Sequence, residues 1–168
     1  MAAKLPEPSV YTSAPMRNSL RVRLDASIDD VWALVGDHAR LPEYSAGIET
    51  VAMSGDGQSF TCRFHATDQT PALELTQQIR WEIPGVGYSA STVEPNGFLL
   101  TDDLGVVTVK ADGAGTVVEW AQYFHSSELA AAIASFDEGL TDIAQQLVAR
   151  FGGQVTKQWA QDSSDTGA

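Results

Sequence analysis

The feature that most constrains the fold is a single long amphipathic helix predicted near the C-terminus. Residues 126–128 (SSE) precede it, and Gly152 is expected to end it as a C-cap. Its apolar residues recur at steps of three and four, which places them on one stripe of about six turns. They are Leu129, Ala132, Ile133, Phe136, Leu140, Ile143, Leu147 and Phe151. We expect a stripe of this length to be buried against the concave face of a sheet.

The sheet is predicted from runs in which apolar and polar residues alternate. Leu20, Val22 and Leu24 mark the first run, which is typical of a half-buried strand. A short helix is predicted next, from the N-cap Ser27 to about Gly36. From residue 47 onward, six further alternating runs are separated by turn-forming segments. These segments are residues 54–57, 68–71, 84–87, 95–97 and 112–115.

The predicted architecture is an α+β helix-grip fold in one domain. Short loops join antiparallel neighbours, so a curved seven-stranded antiparallel sheet is expected to surround the long C-terminal helix. A bent sheet and a straight helix cannot touch along their whole length, and we therefore expect a hydrophobic cavity between them. We predict a flexible N-terminal tail over residues 1–18, the domain over residues 19–152 and a polar C-terminal tail over residues 153–168.

The charge of the chain argues against nucleic acids and membranes as partners. Its 10 Lys and Arg residues against 22 Asp and Glu residues give a net charge of −12, which repels polyanions. Residues 1–18 lack the apolar run of a secretory signal, and no segment approaches the ~20 apolar residues of a membrane span. We expect a cytoplasmic protein, monomeric or homodimeric, whose partner is a small molecule.

The sequence carries no motif for a metal or a cofactor. Cys62 and His65 are three residues apart on a strand, so their side chains point to opposite faces and cannot share an ion. His38 and His125 lie far apart in sequence. A phosphate-binding loop, a dinucleotide-binding glycine motif and a nucleophile elbow are all absent. We therefore predict neither a metal site nor a cofactor.

Three segments around the first helix resemble the SRPBCC, or START-like (Bet v 1-like), superfamily. They are residues 31–37 (VWALVGD), 41–44 (LPEY) and 47–49 (GIE). The bacterial polyketide cyclase/dehydrase branch is the most similar, and residues 115–120 (GTVVEW) resemble it as well. The resemblance covers the predicted domain and implies a helix-grip fold with a hydrophobic cavity under the long helix. The superfamily includes cyclases, lipid carriers, hormone receptors and chaperone activators, so the fold alone does not decide the function.

Alternation on the third and fourth strands predicts which side chains face the cavity. Gln77 and Trp81 fall on the apolar face of the fourth strand, and Phe64 faces inward on the third. Gln77 is then either a core amide or a polar anchor for a ligand, and Trp81 is either core filler or a flat wall. Arg63 and Arg80 fall on outward faces. The cavity arginine often credited to aromatase/cyclases is therefore not expected in this chain.

The last two strands supply the ionisable candidates. Trp120 and Gln122 are predicted on the inner face of the last strand, with Glu119 outside. A shift of one residue in that assignment would bring Glu119 into the cavity. Asp102 and Asp103 are adjacent on the preceding strand, so one of them is expected to face inward or to lie at the cavity mouth.

Two functions remain open, together with a less favoured third. The resemblance favours a cofactor-independent cyclase/dehydratase acting on a small hydrophobic, aromatic or polyketide-derived molecule, with Asp102 or Glu119 as the catalytic base. The alternative is a carrier of a lipid or an aromatic metabolite, which needs the same cavity and no base. An adaptor with a filled core would be marked by bulky residues that close the cavity.

The predicted ligand-binding residues are Tyr44, Phe64, Gln77, Trp81, Trp120, Gln122, Phe136 and Leu140. Tyr44 is included because in the family an aromatic side chain at its motif position commonly borders the cavity. The alternative for Tyr44 is that its side chain seals the core.

Overall fold

The computed structural model describes residues 3–162, which form two α-helices, two short 3₁₀ helices and eight strands. The α-helices are α1 (Ile28–Val35) and α2 (Leu129–Phe151), and the 3₁₀ helices are Pro8–Val10 and His38–Glu43. The strands are β1 (Met16–Leu24), β2 (Ile48–Met53), β3 (Ser59–Phe64), β4 (Glu74–Ile83), β5 (Gly87–Thr92), β6 (Leu100–Asp112), β7 (Gly115–Ser126) and β8 (Gly153–Ala160).

The eight strands form one curved antiparallel sheet in the order β2-β3-β4-β5-β6-β7-β1-β8. Helix α2 lies across β1, β7 and β8. Its apolar stripe is buried against the sheet through Ile133, Leu140, Ile143, Ala144 and Leu147. The predicted α+β helix-grip fold is confirmed, with eight strands instead of seven.

The helix ends follow from local hydrogen bonding. Helix α1 begins where the Ser27 hydroxyl accepts a hydrogen bond from the Asp30 backbone N–H at 3.2 Å. Helix α2 ends where the N–H of Gly152 donates to the carbonyl of Val148 at 2.8 Å. Neither α-helix of the described residues has the length and hydropathy that a membrane crossing requires.

The eighth strand corrects the prediction of a C-terminal tail from residue 153. Gly152 and Gly153 have φ angles of +76° and +113°, which favour glycine. A Cβ on Gly153 would collide with the carbonyl oxygen of Arg23, so the double glycine allows the chain to turn back onto β1. Backbone pairing with β1 holds β8 at the edge of the sheet. Its composition is polar because most of its side chains are exposed. Residues 163–168, the rest of the predicted tail, lie outside the described residues.

The prediction of an N-terminal tail is also corrected where the chain packs on the domain. The side chain of Thr12 is buried. Arg17 is 9% exposed, and its Nε donates to the carbonyl oxygen of Phe124 at 2.9 Å. Hydrogen bonds of this kind leave no periodic apolar pattern in the sequence, which is why residues 1–18 were predicted as a tail. Residues 1–2 lie outside the described part of the chain.

Candidate functional site

A cavity of about 210 Å³ lies between the concave face of the sheet and α2. Side chains from β3 to β7 line it from the sheet, and α2 closes the opposite side. Most of the lining is apolar. Its aromatic residues are Phe60, Phe64, Tyr88, Phe98, Trp120 and Phe136, and its polar residues are Ser45, Gln77, Thr92, Asp103, Gln122 and Ser135.

The cavity reaches the surface beside α2. Ser135 and Gly139 both line it, and both are exposed. A Cβ on Gly139 would meet no atom within 4 Å, so the helix leaves open space at this position. The Phe64 and Phe98 rings, 5.1 Å apart, are half-buried and also belong to the lining.

Polar groups of β4, β5 and β6 form a hydrogen-bonded chain on one wall. Gln77 Nε2 donates to Thr92 Oγ1 at 3.0 Å, and Thr92 Oγ1 donates to Asp103 Oδ2 at 2.8 Å. The backbone N–H of Thr92 donates to Asp103 Oδ1 at 2.6 Å. All three hydrogen bonds run in the direction of Asp103, and its carboxylate is the final acceptor of this network.

Asp103 is a carboxylate inside an apolar cavity. It is 7% exposed, and burial raises its pKa, while the two hydrogen bonds from Thr92 act in the opposite direction. Glu94 also raises this pKa and Arg80 lowers it, each through its charge. Among the described lining residues there is no Lys, Arg or His. Asp103 is therefore the one carboxyl group of the described lining, and a carboxyl group with a raised pKa is suited to accept and return a proton.

The cavity cysteine has no such role. Burial raises the pKa of the Cys62 thiol to about 12, so the reactive thiolate is not formed at neutral pH. Among residues 3–162, no group of three or more His, Cys, Asp or Glu residues is placed to hold a metal ion.

A second amide, Gln122, lies near the polar chain with its hydrogen-bonding groups free. It pairs across the ladder with Gly105, two residues beyond Asp103 and on the same face of β6. A Cβ on Gly105 would lie 3.1 Å from Gln122 Oε1 and 3.2 Å from Nε2, so the glycine makes room for the amide. No hydrogen bond within the described residues uses the Gln122 side chain, which leaves it a donor and an acceptor for a ligand.

Most of the predicted ligand-binding residues lie in the cavity wall. They are Phe64, Gln77, Trp120, Gln122, Phe136 and Leu140. The face of β7 that was predicted to point inward, with Trp120 and Gln122, lines the cavity in the structure. Their role in ligand binding stays a prediction. Four other predicted residues lie outside the lining: Tyr44, Trp81, Asp102 and Glu119.

Trp81 is outside because β4 contains a bulge. The ladder to β5 pairs Ile79 with Ala90 and then Trp81 with Ser89, so Arg80 is the extra residue. A bulge reverses the alternation beyond it. Trp81 therefore leaves the inward face that Gln77 occupies, and the prediction that both share one face is wrong.

Tyr44 seals the core and does not border the cavity. It is 1% exposed and belongs to the main core cluster. Its hydroxyl has no hydrogen-bond partner within the described residues. Burial raises the pKa of this phenol well above its ordinary value. Of the two alternatives for Tyr44, a side chain that borders the cavity or one that seals the core, the structure supports the second.

Neither predicted base faces the cavity. The Asp102 carboxylate accepts hydrogen bonds from the backbone N–H of Ser13, at 2.9 Å, and from its hydroxyl. The hydroxyl bond is the main cause of a lowered pKa, which makes Asp102 a weaker base. Glu119 is exposed on the outer face of β7, 3.6 Å from Arg21. The assignment of either residue as the catalytic base is therefore corrected: Asp103 is the inward carboxylate.

Thr92 is a residue of the hydrogen-bonded wall that the sequence did not indicate. Alternation left open which of the two adjacent aspartates is inward, and that pair was the available signal for Asp103. Thr92 ends a β5 strand (GYSAST) in which small polar and apolar residues are all buried, so no alternation distinguished it.

Comparison with known proteins gives a family and a fold. A family model described as polyketide cyclase/dehydrase and lipid transport matches residues 16–152. No curated protein matches the chain. Among solved structures, the protein XoxI from Bacillus cereus is similar with a TM-score of 0.69 and 20% identity, covering 81% of this chain and 96% of that chain.

Two further structures have the same fold. A START superfamily protein from Mycobacterium smegmatis has a TM-score of 0.62 and 14% identity, covering 82% of this chain and 97% of that chain. The di-domain ARO/CYC protein StfQ from the steffimycin biosynthetic pathway has a TM-score of 0.57 and 15% identity, covering 80% of this chain and 44% of that chain. At these identities the likeness shows a shared fold.

Proposed function

The chain belongs to the polyketide cyclase/dehydrase and lipid transport family, and we propose that it binds a small, mainly apolar and aromatic molecule in the cavity beneath α2. The observation that carries this proposal is an apolar cavity with one polar, hydrogen-bonded wall. An apolar cavity with a few convergent polar groups is the usual form of a small-molecule site.

The size of the cavity favours a small ligand. Its volume of about 210 Å³ compares with roughly 150 Å³ for an engineered cavity that binds benzene. Trp120, Phe64 and Phe136 offer flat apolar surfaces from β7, β3 and α2. These features support a ligand of one or two rings, or an open chain that folds to that size.

We further propose that the bound molecule undergoes an aldol cyclisation and dehydration. In the first step the Asp103 carboxylate takes a proton from the carbon beside a carbonyl, and Gln122 donates to the enolate oxygen that forms. The enolate carbon attacks a second carbonyl of the same molecule, and the resulting alkoxide takes the proton back from Asp103. Loss of water follows when Asp103 takes a second proton from the same carbon and delivers it to the departing hydroxyl.

The alternative is a carrier that binds the same molecules without reaction. Asp103 is the one group of the described lining suited to proton transfer near neutral pH, because burial raises the pKa values of both Cys62 and Tyr88. A carrier needs no such group. The two functions therefore differ in what Asp103 does after the ligand has bound.

Binding is tested with acetophenone and ethylbenzene, which share a phenyl ring with a two-carbon chain and differ in the carbonyl oxygen. Free ligand at about a hundredfold over Kd should stabilise the protein by about 2.7 kcal/mol, measured as a rise in Tm. Gln122→Leu should weaken acetophenone binding by about 1–3 kcal/mol and leave ethylbenzene binding unchanged. Gln78→Leu is the matched control, because Gln78 is exposed on β4. If neither compound raises the Tm, the cavity does not bind small molecules and the proposal is wrong.

Catalysis is tested with an acyclic diketone whose two methyl ketones are separated by three methylene groups. Its aldol condensation gives a methylcyclohexenone and water, and the conjugated product is followed by its absorbance. The wild-type protein should accelerate this reaction, and Asp103→Asn should lower the rate about 10²–10⁴-fold while acetophenone still binds. Binding of acetophenone without any acceleration of the diketone reaction would favour the carrier.

A further inference from the structure

We propose that, among aromatic molecules with a polar end, the cavity binds those that donate a hydrogen bond to Asp103, through a hydroxyl or an ammonium group, more tightly than those that carry a carboxylate. This inference rests on the proposed function, because it names the ligand class of the same cavity.

The composition of the lining opposes the binding of an anion. Asp103 is the one carboxyl group among the described lining residues, and no Lys, Arg or His lies there beside it. The two free or partly free amides, Gln77 and Gln122, carry no charge. A ligand carboxylate would therefore lose its water beside another carboxylate, with no cation to receive it.

The Asp103 carboxyl group has unused capacity to accept hydrogen bonds. Each of its oxygens accepts one hydrogen bond from Thr92, and an ionised carboxylate has roughly four acceptor sites. None of the ion pairs within the described residues includes Asp103. Arg80 acts on Asp103 through its charge without forming an ion pair with it. A buried carboxylate without an ion-pair partner is costly, so a ligand donor that reaches Asp103 offsets that cost.

Aromatic rings near the polar wall and the net charge of the protein also favour a cation over an anion. Trp120 and Tyr88 line the same cavity, and aromatic ring faces attract a cation. The net charge of −12 favours the approach of cations and opposes that of anions. Both effects act in the same direction as Asp103, so an ammonium group is accepted and a carboxylate is rejected.

The experiment compares four probes that share one ring: toluene, benzyl alcohol, benzylamine and benzoate. Dissociation constants are measured at neutral pH by titration calorimetry on the full chain. Benzyl alcohol and benzylamine should each bind about tenfold or more tighter than benzoate, since a hydrogen bond to a charged group is worth at least that factor. Asp103→Asn should reduce the affinity for benzylamine and raise that for benzoate. Glu119→Gln removes the same charge from the outer face of β7 and should change none of the four constants.

The outcomes separate this inference from the proposed function. If toluene binds and benzoate binds as tightly as benzyl alcohol, the cavity is real and the charge selection is wrong. If none of the four probes binds, the proposed function and this inference are both wrong. The wild-type ranking decides the question even if Asp103→Asn does not fold. Where that variant folds and keeps the wild-type ranking, Asp103 is not the selecting group.

Discussion

Two adjacent aspartates on β6 occupy opposite regions of the molecule. Asp102 lies on the outer side of the sheet, where its carboxylate is bound by Ser13 of the N-terminal segment, and its backbone carbonyl accepts a hydrogen bond from the Thr12 hydroxyl. Asp103 lies inside, where its carboxylate is bound by Thr92 and lines the cavity. The same residue type thus anchors a chain segment on one side and faces the ligand site on the other.

The two environments shift the two pKa values in opposite directions. Hydrogen bonds from Ser13 lower the pKa of Asp102, and burial raises the pKa of Asp103. The contribution of Asp102 to stability is therefore present above its unfolded pKa and lost as the pH falls through its folded pKa. The contribution of Asp103 to stability has the opposite pH dependence. It is fully present below the pKa of the unfolded state and is lost as the pH rises through the raised pKa of the folded state.

A bulge in β6 separates the two regions. The ladder to β7 pairs Thr101 with His125 and Leu104 with Tyr123, so two aspartates lie opposite the single residue Phe124. At this irregular position the Asp102 carboxylate bonds the N-terminal segment and the Asp103 carboxylate faces the cavity. The position of an aspartate in the strand, and not its residue type, therefore decides which carboxylate can act on a ligand.

The largest expected effect comes from the packing beside the bulge. Phe124 is fully buried, and its ring centroid lies 5.0 Å from that of Phe136. Phe124→Ala should lower the free energy of unfolding by about 3–5 kcal/mol, because it leaves a cavity under the sheet. Tyr123→Ala, at the neighbouring half-buried position, should cost clearly less. Urea denaturation measures both, and equal losses would mean that the inner and outer sides of the bulge are packed alike.

An intermediate effect is expected from the hydroxyl that links Gln77 to Asp103. Thr92→Val removes a donor from the buried carboxylate and should cost about 1–3 kcal/mol. Thr92→Ser should restore most of that loss, because it keeps the hydroxyl. Thr76→Val is the control: the Thr76 hydroxyl bonds that of Thr61 at 2.9 Å and does not belong to the cavity lining. If the control costs as much as Thr92→Val, the cavity wall has no special dependence on its hydrogen-bonded chain.

The smallest effect is expected on the outer side. Ser13→Ala removes an exposed hydrogen bond to Asp102 and should cost at most about 1 kcal/mol. Amide hydrogen exchange of residues 12–14 should become faster, since the segment loses one of its attachments. The affinity for benzyl alcohol should not change. A weaker affinity in this variant would show that the N-terminal segment acts on the cavity through the bulge.

Much of the fold followed from patterns that survive in a single sequence. The stripe on α2 and the alternation on β7 are long and regular, so the helix-grip architecture and the inward positions of Trp120 and Gln122 could be predicted. The strand β8 could not be predicted in this way. Its side chains are exposed, and it is held by backbone pairing and by the glycine turn at Gly152 and Gly153.

The residues of the candidate site could be predicted where the strands are regular, but not at or beyond the bulges in β4 and β6. Alternation correctly placed Gln77 inside, and it failed at Trp81 because Arg80 is an extra residue in β4. It could not separate Asp102 from Asp103, because the irregular pair lies opposite one residue of β7. A bulge is set by the register of two strands, and neither strand records that register in its own sequence.

The most direct test of the difference between the two regions is an NMR titration of the carboxyl carbons of Asp102 and Asp103, with and without benzylamine. We expect the pKa of Asp103 to lie above the ordinary value for aspartate and that of Asp102 to lie below it. Benzylamine should lower the pKa of Asp103, because a cation favours the ionised form, and should leave that of Asp102 unchanged. An unshifted Asp103 that ignores benzylamine, or an Asp102 that responds to it, would contradict the assignment of Asp103 as the carboxylate that faces the ligand.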